Sequence, residues 1–172
     1  FADNDVYRAV THNKGIMNGT IAVANAVGQD SRAIEAAANA FAVKSGQYRS
    51  LSKWSKDGEG NLVGELEIPL SVGIVGGIVN VHPVAKVCTK ILGAKSAQEL
   101  ACVMTATGLA QNYSAIRALS TEGIQKGHMR LHARNLAAAA GATSDQIDGI
   151  VQKMIEEKKI SLDMAKELVE QI

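Results

Sequence analysis

Apolar residues recur at helical spacing over most of this chain, and one stretch abandons that period. The run from Ile21 to Val27 reads as a short apolar helix. Asp30 or Ser31 then caps a second helix, with Ala33, Ile34, Ala37, Ala38, Phe41 and Ala42 as its apolar face and Gly46 just beyond its end. Between Leu51 and Ile68 the period falls to two. Leu62, Leu66 and Ile68 share one parity, Glu65 and Glu67 the other, and Asp57-Gly58-Glu59-Gly60 separates the strands of a β-hairpin. Gly73-Ile74-Val75-Gly76-Gly77 reads as a flexible bend, and His82-Pro83 opens a helix that runs to Leu92 and closes at Gly93.

Ser96, three residues before Glu99, marks a capping box. It opens a long helix with Leu100, Val103, Met104, Leu109, Ile116 and Leu119 at its apolar positions, and Gly108 inside it signals close packing against another backbone or a ligand, of which the former is the better reading. Helices follow from Gln125 to Ala140, from Ser144 to Lys158 and from Ser161 to the C-terminus, with Ser144 and Ser161 as caps and a hinge at Gly123 to Gly127. The pattern predicts an α+β fold, predominantly helical: a long central helix, a β-hairpin as a small sheet, and a C-terminal three-helix flap.

Composition narrows the partners. The chain has 172 residues, 47% of them hydrophobic, which is enough for one core with an appendage. Eighteen basic residues against seventeen acidic give a net charge of +1 without a dense basic run, which argues against nucleic acid. Cys88 and Cys102 lack metal-ligand spacing and read as buried thiols of a reducing compartment. The uncharged run from Ile68 to Val81 is shorter than the ~20 residues of a spanning helix and is broken by Pro69 and glycines, so no membrane segment is expected. A start at Phe1 without a basic, apolar leader argues against a signal peptide and points to a portion of a longer protein.

The densest chemistry lies in Thr11-His12-Asn13-Lys14-Gly15-Ile16-Met17-Asn18-Gly19, followed by Gly28-Gln29-Asp30-Ser31-Arg32. A lysine beside glycines lets a substrate approach, and a returning carboxylate can hold its ammonium charged, which suits a developing oxyanion. The ordinary alternatives are a surface lysine and a helix N-cap. Arg8 offers a planar fork for a carboxylate. His128 and His132 have the spacing of paired metal ligands, but Arg130 lies between them and the glutamate of the zinc-protease motif is absent, so no metal is expected. A phosphate cradle at Gly73 to Gly77 lacks the lysine and hydroxyl that end a P-loop.

Three stretches together carry a resemblance: Tyr7 to Gly19 with Gly28-Gln29-Asp30-Ser31-Arg32-Ala33-Ile34-Glu35-Ala36, Gly108-Leu109-Ala110-Gln111-Asn112, and Ser120-Thr121-Glu122-Gly123-Ile124-Gln125-Lys126-Gly127-His128-Met129. In order and spacing they resemble the catalytic region of class II 3-hydroxy-3-methylglutaryl-coenzyme A reductase. The resemblance implies an oxidoreductase that interconverts hydroxymethylglutaryl-coenzyme A with mevalonate plus coenzyme A by two hydride transfers from NADH or NADPH. It assigns Lys14 to the thioester oxyanion, Asp30 to holding and tuning that lysine, and His128 to protonating the departing thiolate. Arg8 would bind the substrate carboxylate, Asn18 would hydrogen-bond near the reacting centre, and Gln111, Ala115 and Leu119 would contact coenzyme A.

By the same resemblance, residues 1–122 form the C-terminal part of a large catalytic and substrate-binding domain, and residues 123–172 form a helical flap. The family's catalytic glutamate and nucleotide-binding domain are missing from these residues, so the chain alone is expected to show no hydride transfer. The resemblance further implies a cytoplasmic homodimer with composite active sites, completed by the remainder of the same protein. Two competing expectations are a non-catalytic coenzyme A-binding or dimer-assembly module, and metal-dependent hydrolysis through His128 and His132.

Overall fold

The computed structural model describes residues 1–121 and 123–171, with Gln125 and Lys126 as backbone only. Glu122, at the expected domain boundary and inside the third motif, and Ile172, the expected end of the last helix, lie outside the described residues. The chain divides into two compact units, Phe1–Ala115 and Ile116–Ile172.

The first unit opens with a helix that the sequence reading placed too late and made too short. Helix α1 spans Val6–Ala26, so the whole Thr11 to Gly19 motif is helical. Its N-cap is Asp5, whose side chain accepts a hydrogen bond from the Arg8 N–H at 3.1 Å. Gly15, Gly19 and two asparagines are poor helix formers, and a helical glycine costs ~1 kcal/mol relative to alanine. Burial outweighs that cost. Ala9, Asn13, Ile16, Met17, Thr20 and Ala24 form a continuous buried stripe at helical spacing. The helix ends where Gly28 adopts φ +70° and the Gln29 N–H reaches back to the Ala24 carbonyl at 2.8 Å.

Helix α2, Ser31–Ala42, is capped by Asp30, whose carboxylate accepts from the N–H groups of Arg32 and Ala33. Ile34, Ala38 and Ala42 are buried, whereas Ala33, expected on the apolar face, is exposed. Strands β1, Ser52–Lys56, and β2, Leu62–Leu66, pair antiparallel with Ser52 opposite Leu66 and Lys56 opposite Leu62. Trp54 lies opposite Gly64, and a Cβ there would meet the indole ring at 2.6 Å. Leu66 and Ile68 pack against the core, but Leu62, beside the turn, is exposed.

The Gly-rich bend leads into a short helix, α3, Gly77–Val81, which the periodicity did not reveal because five residues are too few to show one. Helix α4, Pro83–Leu92, begins with His82 as N-cap and ends at the left-handed Gly93, as the sequence indicates. Helix α5, Ala97–Ser120, starts with Ser96 Oγ accepting from the Glu99 N–H at 3.1 Å, while the Glu99 carboxylate accepts from the Lys95 N–H at 2.8 Å. Its fully buried stripe is narrower than the apolar pattern: Leu100, Met104, Gly108 and Asn112, with Leu119 exposed.

Close packing explains the glycines of α1 and α5. A Cβ on Gly108 would lie 2.5 Å from Thr20 Oγ1 and 3.2 Å from the Ile16 carbonyl oxygen, and one on Gly19 would lie 2.7 Å from the Thr107 carbonyl oxygen. Thr20 Oγ1 donates to the Met104 carbonyl across the same contact at 3.3 Å. Gly19→Ala should therefore lose stability, because overpacking against backbone costs about 1–3 kcal/mol and exceeds the ~1 kcal/mol gained in helix propensity. Gly15 has nothing within 4 Å of its Cβ position, so Gly15→Ala should be neutral or stabilising. Thermal melts of the two variants in parallel check the contrast, and equal behaviour would contradict it. The core of this unit gathers Ile16, Met17, Ala24, Val27, Ile34, Ala38, Leu51, Leu100 and Met104.

The second unit holds helices α6, Ile124–Ala139, α7, Ser144–Glu156, and α8, Leu162–Glu170. Ala133 and Ala137 on α6 meet Ile150, Val151 and Met154 on α7 and Met164, Ala165 and Leu168 on α8 in a separate core. Two expectations need correction. The cap of α7 is Thr143, paired with Gln146 in a capping box, not Ser144; and α7 stops at Glu156, with Lys158 in the left-handed region at φ 53°. Ser161 caps α8 by accepting from the Met164 N–H at 3.2 Å, as expected. The result is an α+β fold, predominantly helical, with one small antiparallel hairpin among the described residues.

Candidate active site

Because α1 runs through the motif, Lys14 and Asn18 stand one turn apart on one helix face. They are exposed, and with Met17, Ile21, Ala22, Asn25 and Glu35 they line an open cleft of ≈ 390 Å³. The cleft combines an ammonium, two side-chain amides, a carboxylate and an apolar floor. Glu35 was missed from sequence. It follows Ile34, which α2 buries, so the helical period puts it at the edge of the packed face.

Asp30 is not among the cleft residues, and no ion pair joins it to Lys14 among the described residues. Its Oδ1 caps α2 through two hydrogen bonds of 3.1 Å. Arg8, near the start of α1, is half-buried; its Nε is buried without a hydrogen-bond partner among the described residues, and its guanidinium carbon lies 5.0 Å from the centre of the Phe1 ring. Gln111 is exposed and Ala115 half-buried on α5, and Leu119 is exposed near the end of that helix. His128 is exposed on α6 in the second unit, as is His132. No cluster of three or more metal-ligating side chains occurs among the described residues.

A polar hub beside the cleft helix also escaped the sequence reading. The ring of His12 places Nε2 2.7 Å from Ser52 Oγ on β1 and 3.2 Å from Asn112 Nδ2 on α5. Asn112 Oδ1 accepts from the Ser52 hydroxyl at 2.8 Å and from the Trp54 indole N–H at 2.8 Å. Next to it, Asn13 donates to the Arg49 carbonyl at 2.8 Å and accepts from the Leu51 N–H at 2.9 Å. Asn13 replaces ladder partners for the chain entering β1, and Asn112 holds two side chains of that strand, so the hairpin is fastened to α1 and α5. Sequence held one hint, an adjacent histidine and asparagine inside an apolar period.

Burial, and then the Arg8 guanidinium, hold the His12 pKa below its ordinary 6.5. The fold therefore favours the neutral ring, and unfolding takes up a proton. The associated stability is complete above pH 6.5 and is lost as pH falls through the lowered folded value. Denaturant titrations across acidic pH should show this decline, and His12→Gln should flatten it. An unchanged slope in the variant would remove His12 as its source.

Fold and cleft together define a predominantly helical α+β protein with a cationic, amide-lined groove. The profile of hydroxymethylglutaryl-coenzyme A reductase matches residues 1–133. Over all 172 residues the chain is 55% identical to a 3-hydroxy-3-methylglutaryl-coenzyme A reductase of Archaeoglobus fulgidus, spanning 39% of that protein. A probable 3-hydroxy-3-methylglutaryl-coenzyme A reductase of Borreliella burgdorferi is 47% identical over 129 residues, 75% of this chain and 30% of its own length. Among solved structures, the Streptococcus pneumoniae 3-hydroxy-3-methylglutaryl-coenzyme A reductase superposes with a TM-score of 0.69 at 44% identity, covering 99% of this chain and 41% of that one. A structure of the class II enzyme from the same organism, bound to NADPH in open conformations, gives 0.68 at 45% identity, covering 99% and 42%. The chain belongs to the hydroxymethylglutaryl-coenzyme A reductase family and spans between 30% and 42% of the length of these relatives.

Proposed function

We propose that this chain is the substrate-handling portion of an oxidoreductase that interconverts hydroxymethylglutaryl-coenzyme A with mevalonate and coenzyme A, in the mevalonate route to isoprenoids. The observation that carries the proposal is Lys14 and Asn18 on one face of α1, lining an open cleft within the segment that matches the family. Lys14 stabilises negative charge on the thioester carbonyl oxygen as that carbon is reduced, and Asn18 hydrogen-bonds beside it. Asp30, whose carboxylate caps α2 and makes no ion pair with Lys14 among the described residues, is assigned by the family motif alone to holding the ammonium once substrate is bound. Arg8 binds the substrate carboxylate through the planar fork of its guanidinium.

Gln111, Ala115 and Leu119 on α5 contact coenzyme A. His128 protonates the thiolate as it leaves, acting as the general acid of the step. With residues 123–172 acting as a flap, substrate binding and acid delivery coincide, and water is excluded between steps.

NADH or NADPH supplies the two hydrides. The described residues hold no parallel βαβ unit with a glycine-rich turn at a helix start, and none of them is assigned to the nucleotide. The remainder of the protein supplies that domain and the catalytic glutamate. The protein works as a cytoplasmic homodimer without a metal. Exposed Ile78, Val81, Val84, Val87 and Ile91 on α3 and α4 support burial against further chain. No described helix is long and apolar enough to cross a membrane.

The test is stoichiometry in the full-length protein. Each thiol released from hydroxymethylglutaryl-coenzyme A should accompany two nicotinamide nucleotides oxidised, read by absorbance and thiol titration. Thioester binding without nucleotide oxidation would instead favour a non-catalytic coenzyme A-binding module.

A further inference from the structure

The turn Gly28-Gln29-Asp30 is tied to three separate pieces of the first unit. Its backbone closes α1 through the Gln29 N–H and the Ala24 carbonyl, 2.8 Å apart. Its last residue caps α2. The third tie is the Gln29 side chain, which donates from Nε2 to the Gly73 carbonyl at 2.8 Å and accepts at Oε1 from the Gly73 N–H at 2.9 Å.

A side-chain amide here takes the place of a neighbouring strand, satisfying both backbone groups of a residue that no ladder pairs. The neighbours of Gly73, Val72 and Ile74, pack against the core, so the clamp grips a seated segment. Beyond it, Gly76 and Gly77 take φ +82° and +56° and turn the chain into α3. Ile78 comes so close to the turn that a Cβ on Gly28 would lie 2.4 Å from its Cγ2. Gly28 thus admits the segment, and Gln29 locks it.

We propose that Gln29 is a positioning residue for the reaction: its amide clamps Gly73 to the 28–30 turn and so fixes the direction in which Asp30 is presented. The proposal rests on the reductase reading of Asp30. Asp30 follows Gln29 directly, and its Oδ1 is committed to the two α2 N–H groups, so the aim of the carboxylate follows the backbone of the turn. Among the described residues, the Gln29 amide is the side-chain bond that ties this turn to a remote segment. Without it, the turn retains both helix ends and loses its lateral anchor.

The experiment is Gln29→Met in the full-length enzyme, which keeps side-chain length and removes both hydrogen bonds. Expected is a kcat roughly ten- to a hundredfold lower, as for small misplacements of catalytic groups, with KM for the thioester within twofold and faster exchange of the Gly73 amide. A lowered melting temperature with unchanged kcat would show a merely structural clamp and overturn the proposal. Gln29→Glu keeps the acceptor for the Gly73 N–H and sets an oxygen against the Gly73 carbonyl. Its kcat should fall between those of the wild type and the methionine variant. If the methionine variant does not fold, a wild-type kcat in Gln29→Glu overturns the proposal and a reduced one supports it. Absence of turnover in the wild-type control would instead sink the reductase reading.

Discussion

Lys14→Ala in the full-length enzyme should lower thioester reduction by at least about 10²–10³-fold, the range seen when one oxyanion donor is removed from a water-poor site. The fold should be indifferent to the change. Lys14 is exposed on α1, and alanine is the better helix former, so the melting temperature should hold or rise slightly. Lys14→Arg should not restore turnover, because a planar fork on a longer stem does not place its charge where a compact ammonium does. Turnover within tenfold of wild type in a folded Lys14→Ala variant would remove the lysine from the chemistry.

His128→Gln should separate the two halves of the reaction. Loss of the acid should slow overall thioester reduction by about 10²–10⁴-fold, the usual contribution of a positioned proton donor. Reduction of the free aldehyde that follows thiol loss should stay within a few fold of wild type, since no thiolate then needs a proton. His128 is exposed on α6, away from the alanines that build the second core, so the variant should fold normally. Equal losses on both substrates would assign His128 to binding or to flap closure.

The elements with strong local punctuation were legible from sequence. Asp30, Ser96 and Ser161 cap the helices expected of them, Gly93 ends α4, and the change of period at Leu51 marks the hairpin. Helix α1 was truncated because its glycine-containing middle depends on long-range packing. Thr20 against Met104 and Gly19 against Thr107 stabilise a segment whose local propensity argues otherwise. Family resemblance picked out Lys14 and Asn18, and the helix puts them on one face. Glu35 and the His12–Ser52–Asn112–Trp54 hub stayed hidden, since their partners come from elements far apart in the chain. Asp30 was legible twice, as a cap and as a candidate catalytic group, and its cap is what the side-chain geometry displays.

The close approach of α1 and α5 alters how the Thr11 to Gly19 string should be compared among relatives. Its letters answer to two independent demands interleaved along one helix. Lys14 and Asn18 face the cleft, while Ile16, Gly19 and Thr20 face α5. A relative that changed only the first pair would keep its platform and lose its chemistry. One that changed only the second set would carry every reactive group on a helix that no longer seats. Percentage identity across the motif counts these losses alike, and its helical phase tells them apart.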